Sequence, residues 1–140
     1  MKSGGRLAFV CWQGLNKNPW MEIPFKIALQ YLPAPPTVGP EEPGPLAFAD
    51  PDRVRRILSG AGFGNIDLES LKTTLPLGVD VPASVEKLVQ LGPTGRLLGS
   101  APDDIKARVA DDLGAAISEF QTDSGVMIGS ATWIVSATSP

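Results

Sequence analysis

Histidine is absent from this 140-residue sequence, and cysteine occurs once. Without imidazole, His-based general-base catalysis, Ser–His and Cys–His nucleophile pairs and most zinc sites are excluded. The lone Cys11 can form no disulfide within the chain, which fits a reducing compartment, so the expected location is cytoplasmic. It lies inside an apolar stretch and reads as a buried structural thiol. No segment approaches the ~20 apolar residues of a membrane span. The N-terminus has one lysine, but glycines stand where the apolar core of a signal peptide would start. Clustered positive charge is also lacking: 12 basic and 15 acidic residues give a net charge of −3. The densest basic spot, Arg53, Arg55 and Arg56, reads as a solvated helix face, so no nucleic-acid partner is expected.

What is present is the composition of a folded globular domain, with 43% apolar and 19% charged residues. The organising stretch is Met1 to Trp12, MKSGGRLAFVCW. Two glycines make a turn, and Arg6 to Trp12 then runs almost wholly apolar. Such a run predicts a strand buried on both faces.

A Gly-, Asn- and Pro-rich loop follows. Asn18 then reads as the N-cap and Pro19 as the first residue of a helix reaching Leu32, with Pro24 belonging only to a first turn. The proline-rich segment Pro33 to Pro45 is expected to be a mobile or extended loop. The plainest helix runs from Pro51 to Ala61. Asp50 is its N-cap, Val54, Ile57, Leu58 and Ala61 form its apolar stripe, and Gly62 is a left-handed cap. Asn65 to Leu71 alternates with period 2, as a strand near a sheet edge does. Leu75 to Pro82 reads as irregular. A short helix follows at Ser84–Leu91, and Thr94–Ser100 reads as a turn or a short helical piece. A longer helix spans Pro102 to about Phe120, with Ile105, Val109, Leu113, Ala116, Ile117 and Phe120 on its stripe. Val126–Ile128 and Ala131–Ala137 read as two strand runs, the second buried.

This order predicts an α/β half-domain. A strand–helix–strand run suggests a parallel pair. The last strand slots between the first and second, antiparallel to both, which leaves the outer side of Leu7–Trp12 without a neighbour.

On these residues the chain resembles class I S-adenosylmethionine-dependent methyltransferases. It is closest to the small-molecule type related to quinone-biosynthesis and methyltransferase type 11 proteins. MKSGG-RLAFVCW is similar to the family's "LKPGG" turn and fifth strand, with Ser3 where the family usually has proline. Ala49 to Phe63 resembles the helix before the sixth strand, NIDLESL that strand, and ATWIVSAT the seventh, antiparallel strand. The resemblance implies the C-terminal half of a Rossmann-like methyltransferase sheet: three main strands, the last antiparallel, with helices. It treats residues 1–140 as a partial domain with a helical, proline-rich cap insertion at about 18–49 and a helical insertion at about 82–121. The family's E/D-x-G-x-G-x-G loop and the acid after its second strand are missing. Gly60-Ala61-Gly62-Phe63-Gly64 is the only comparable glycine cluster. It follows a helix, so it reads as a cap and turn. No cofactor-binding residue is therefore carried over. S-adenosylmethionine belongs to the full-length family and is not expected to bind this chain alone.

Methyl transfer from a sulfonium needs alignment and a desolvated pocket more than an acid or base, so the missing histidine does not exclude it. Ligands of open α/β sheets sit beyond the C-terminal strand ends. That makes Trp12 and Trp20 candidates for the apolar face of an acceptor pocket and Gln13 or Asn18 for its polar contact; the competing reading makes both tryptophans core or loop anchors. Asp103-Asp104 and Asp111-Asp112 read as helix-dipole and solvent-facing charges, and Glu41-Glu42 as solvated. No catalytic or metal-binding residue is assigned.

Three readings follow. The first is a part of a small-molecule methyltransferase that supplies an acceptor-side wall and a sheet edge, and is expected to be inactive alone. The second is a non-catalytic interaction module, or half of a split enzyme, pairing through the open edge of residues 6–12 with a missing N-terminal half or as a homodimer. The third is an apolar-ligand binder using the Trp12/Trp20 region without catalysis.

Overall fold

The computed structural model describes residues 2–36 and 44–140. The middle of the proline-rich loop, including Glu41 and Glu42, lies outside the described residues. The fold is mixed α/β, with five α-helices and one four-stranded sheet among the described residues. In chain order these are β1 (Arg6–Trp12), α1 (Pro19–Ala28), α2 (Pro51–Gly60), β2 (Gly64–Gly78), α3 (Val81–Leu88), α4 (Gly92–Leu98), α5 (Asp103–Ile117), β3 (Gln121–Thr122) and β4 (Gly125–Thr138). None of the described helices is long and apolar enough to cross a membrane.

The strand order is β1-β4-β2, with β3 also on β4. β4 runs antiparallel to β1, from Arg6↔Thr138 to Trp12↔Thr132, and antiparallel to β3. β2 opposes β4 as well. Its Asn65 hydrogen-bonds Thr138 at 3.3 Å, while its far end, at the Gly78 carbonyl, lies against Gly125. The last strand therefore occupies the middle of the sheet. Val126, Ile128, Val135 and Ala137 are buried on it.

The chain forms two compact units, which β2 and β4 both enter. The first comprises Met1–Lys17, Val38–Thr73 and Ala131–Pro140. Its core is Val54 and Leu58 of α2 against Val135 and Ala137, flanked by Leu7, Phe9, Cys11, Phe63, Ile66, Leu68 and Trp133. Burying a Val or Leu side chain contributes roughly 1.5–3 kcal/mol. Asp50 caps α2 by accepting from the Asp52 amide at 2.9 Å, and Pro51 takes the first position. At the other end the Phe63 amide bonds the Leu58 carbonyl at 2.9 Å and the Gly62 amide bonds Ser59 at 3.0 Å. With Gly62 at φ +88°, this is a Schellman closure, and Phe63 packs back on the helix.

Two expectations for this unit are corrected. β1 is not buried on both faces. Leu7, Phe9 and Cys11 turn to the core, while Arg6 and Ala8 are exposed and Val10 is 63% exposed. An apolar run reports what a strand could bury, not what covers it. The stripe on α2 is also narrower than expected, since Ile57 is 44% exposed.

The second unit comprises Asn18–Thr37 and Thr74–Ser130. Here α1 packs against α3, α4 and α5, and α3 against α5. Val109, Leu113 and Ile117 form the fully buried stripe of α5. A Cβ at Gly114 would meet Val81 and Val85 of α3 at 3.7 and 3.8 Å, an ordinary contact, so the helix pair does not require glycine there. Gly95 is sterically obligatory, because its Cβ would lie 2.3 Å from the Gln90 carbonyl oxygen.

Several boundaries here differ from expectation. α1 ends at Ala28, and Leu29–Leu32 form turns. Pro24 is buried inside α1, beyond the first turn, where it removes a ladder hydrogen bond. Leu75 to Gly78, expected to be irregular, continues β2, and the edge position tolerates Pro76. α3 starts at Val81 because the Asp80 carboxylate accepts from the Ala83 amide at 2.9 Å. The two C-terminal strand runs are one strand, and β3 had no counterpart in the sequence reading.

Candidate functional site

Trp12 and Gln13 belong to the first unit, Asn18 and Trp20 to the second. Trp12 ends β1 opposite Thr132. Next to it lies a half-open cavity of about 320 Å³, lined among the described residues by Val10, Cys11, Trp12, Pro45 and Thr132. The register puts Val10, Trp12 and Thr132 on one face of the sheet, opposite the face that packs on α2. The lining is mainly apolar, with Thr132 as its polar residue. Burial pushes the Cys11 thiol pKa up, so the neutral form dominates. Its Sγ points to the Phe48 carbonyl at 3.7 Å.

Gln13 sits just past the strand, with its amide N–H on the Ala131 carbonyl at 3.0 Å. Its side chain is buried. Nε2 donates to Ser70 Oγ and to the Thr132 carbonyl, both at 2.8 Å. A carbonyl only accepts, so the amide nitrogen must face it. Both Nε2 hydrogens are thus committed to joining β1, β2 and β4.

Asn18 is fully buried and holds the N-cap position of α1 without a side-chain cap bond. Its carbonyl accepts from the Met21 and Glu22 amides, each at 2.9 Å, and its Oδ1 accepts from Trp20 Nε1 at 3.3 Å. Trp20 is 9% exposed. Within the second unit this pair is an anchored core element.

The sequence reading assigned no site role to Val10, Pro45, Thr132 or Ser70. Val10 and Thr132 become visible only through the β1–β4 register. Pro45 and Ser70 carry no local signal of their position. The loop over residues 44–49 is held by three contacts: Trp133 Nε1 to the Ala49 carbonyl at 3.0 Å, Phe9 against Phe48 with ring centroids 6.0 Å apart, and Arg53 to the Ala47 carbonyl. Arg55 reaches the Ile66 carbonyl at 3.2 Å, so two of the three clustered arginines are tied to backbone.

Among the described residues no group of three or more His, Cys, Asp or Glu side chains could hold a metal ion. Asp103 and Asp104 lie in the first turn of α5, as expected. Asp112 does more than face solvent, because it accepts a short hydrogen bond from the Tyr31 hydroxyl. Gly60, Gly62 and Gly64 are the end of α2, its left-handed cap and the start of β2. Their backbone follows a helix, and the Gly62 amide is used in the cap.

No protein-family model matches the chain, and no curated protein matches it significantly.

Proposed function

We propose that this chain is the acceptor-side part of an S-adenosylmethionine-dependent methyltransferase acting on a small molecule. The observation that carries the reading is the strand order. β1 leads through the capped helix α2 to β2, and the last strand, β4, returns between them antiparallel to β1. That is the arrangement the resemblance assigns to the fifth, sixth and seventh strands of the family. The apolar cavity beyond the end of β1, with Trp12 as a wall, supports the acceptor role. Ligands of open α/β sheets bind at that end of the strands. On this reading the methyl donor is held by residues other than these 140, and Trp12 and Val10 exclude water from the acceptor.

The test is to express the whole reading frame that contains this chain, alongside the 140-residue chain alone, and titrate each with S-adenosylhomocysteine by calorimetry. Binding by the longer product and none by the 140-residue chain is the expected result. Tight binding by the 140-residue chain would overturn the reading. So would a closed frame with no cofactor-binding polypeptide co-purifying. The non-catalytic module is a second reading, favoured by one observation: among the described residues β1 pairs only with β4.

A further inference from the structure

A second cavity lies wholly within the second unit. It holds about 320 Å³ and is lined among the described residues by Val89, Gln90, Gly95, Leu98, Gly99 and Lys106. Three helices meet there. Val89 and Gln90 follow the last turn of α3, Gly95 and Leu98 belong to α4, Gly99 caps α4, and Lys106 stands on the first turn of α5. Leu98 is buried and forms an apolar floor with the half-buried Val89, while Gln90 and Lys106 are exposed and stand at the mouth. Lys106 is the one charged residue of this lining. Gly95 is fixed by its close approach to the Gln90 carbonyl, but Gly99 is not fixed in that way. Its backbone is right-handed helical, at φ −54° and ψ −36°, a conformation any L-residue adopts. A Cβ there would meet only two carbonyl oxygens of its own helix, Gly95 at 3.4 Å and Arg96 at 3.6 Å, and no atom of α3 or α5 within 4 Å. Neither packing nor backbone demands glycine at 99, and its missing side chain leaves the cavity open.

We propose that this cavity binds a small amphiphilic carboxylate, with its apolar body on Leu98 and Val89 and its carboxylate at the Lys106 ammonium. The proposal does not rest on the methyltransferase reading, and the site shares no residue with the Trp12 cavity. Its volume is at the lower end of small-ligand pockets, which span roughly 300–1,000 Å³, so it suits a short chain or a single ring rather than a nucleotide. Apolar walls favour an apolar body that displaces water from them. The single ammonium at the mouth then sorts ligands by charge. A carboxylate gains an ion pair and charge-assisted hydrogen bonds, an alcohol gains no ion pair, and an amine meets a like charge. The Gln90 amide offers a further N–H donor to the second carboxylate oxygen. Because Lys106 is exposed, its ion pair is screened and changes affinity only a few-fold. The apolar walls therefore set the affinity, and Lys106 sets the sign of charge that is accepted.

The test is an NMR titration of the isotope-labelled chain at neutral pH with sodium octanoate, octan-1-ol and octylammonium chloride. Octanoate should bind with a dissociation constant of about 1 mM or tighter, an ordinary affinity for so small a ligand. It should move the amide signals of Gly95, Gly99 and Lys106 and leave those of Val10 and Trp12 in place. Octanol should bind about threefold more weakly, and octylammonium more weakly still. Lys106→Gln, a change on the surface, should lower octanoate affinity to the level of octanol and leave octanol binding unchanged. Gly99→Leu should fill the cavity and abolish binding of both, with circular dichroism unchanged. No octanoate binding at about 10 mM would overturn the proposal. So would signal changes centred on Val10 and Trp12, octylammonium binding as tightly as octanoate, a Lys106→Gln chain that keeps the preference for octanoate, or a folded Gly99→Leu chain that still binds it. Cofactor titration of the longer reading frame is independent of all these outcomes.

Discussion

Gln13 Nε2 donates to Ser70 Oγ at 2.8 Å and spends its second hydrogen on the Thr132 carbonyl at the same distance. One side chain thus fastens three strands where β1 ends. Gln13→Met keeps the volume but leaves the Thr132 carbonyl and the Ser70 hydroxyl short of a donor. The expected loss is about 1–3 kcal/mol in urea denaturation. Gln13→Met with Ser70→Ala should lose less than the two single changes added together, because the second change removes one orphaned group. Strict additivity would mean that the bond to Ser70 contributes nothing.

Gly62 closes α2 at φ +88°, and a Cβ there would lie 3.3 Å from the Pro140 ring. Gly62→Ala meets both the left-handed penalty and that contact. It should destabilise the chain by about 1–2 kcal/mol. Gly60→Ala is the control, since nothing lies within 4 Å of a Cβ there and the position is helical. It should be neutral or slightly stabilising. Thermal midpoints of the two variants measure the difference directly.

How much of this was legible follows from particular residues. The α2 cap was readable because Asp50-Pro51 and Gly62 each act through local backbone geometry. The same signal stands at Asp80-Val81-Pro82, while the apolar stripe by itself points to a start at Ser84, three residues too late. The middle position of β4 was readable from its unbroken apolar content against the alternation of Asn65–Leu71. The face that β1 leaves open was not. Leu7 to Trp12 are apolar on both sides, and only tertiary contacts decide which side is covered. The candidate site was legible in part. Trp12 lines a cavity, but which residues join it there depends on the strand register, and the commitment of Gln13 to Ser70 joins residues 57 positions apart, beyond any local pattern.

Tyr31 gives a pH-dependent prediction. Its hydroxyl donates to Asp112, and that bond raises its pKa above the ordinary 10.0, with burial and the Asp112 charge adding in the same direction. Arg108 opposes them. A group whose folded pKa is raised contributes stability that is complete below the unfolded pKa and is lost as pH rises through the folded value. The bond should therefore stabilise the chain at pH 8 and cease to do so at strongly alkaline pH, where a phenolate would face a carboxylate. The difference in urea midpoint between the wild type and Tyr31→Phe should shrink from pH 8 to pH 11. A constant difference would show that the bond is not coupled to the Tyr31 proton.

The two tryptophans should part company under mutation. Trp20 is buried and gives its indole N–H to Asn18. Trp20→Ala removes a large core side chain and should cost about 3–5 kcal/mol. Trp12 is half-buried at the end of β1 and lines a cavity beside Val10 and Thr132. Part of its surface is already in water, so Trp12→Ala should cost less than half as much. Its effect should appear in ligand affinity. In the assembled enzyme of the proposed function, Trp12→Ala should weaken binding of the methyl acceptor about tenfold, the loss expected when an aromatic wall worth roughly 1.5 kcal/mol is removed. Denaturation of both variants, paired with acceptor titration, separates the roles. If acceptor affinity is unchanged in Trp12→Ala, the cavity is not the acceptor site. If stability falls equally in both variants, Trp12 is a core anchor like Trp20, and the open face of β1 is left with Val10 as its main apolar feature.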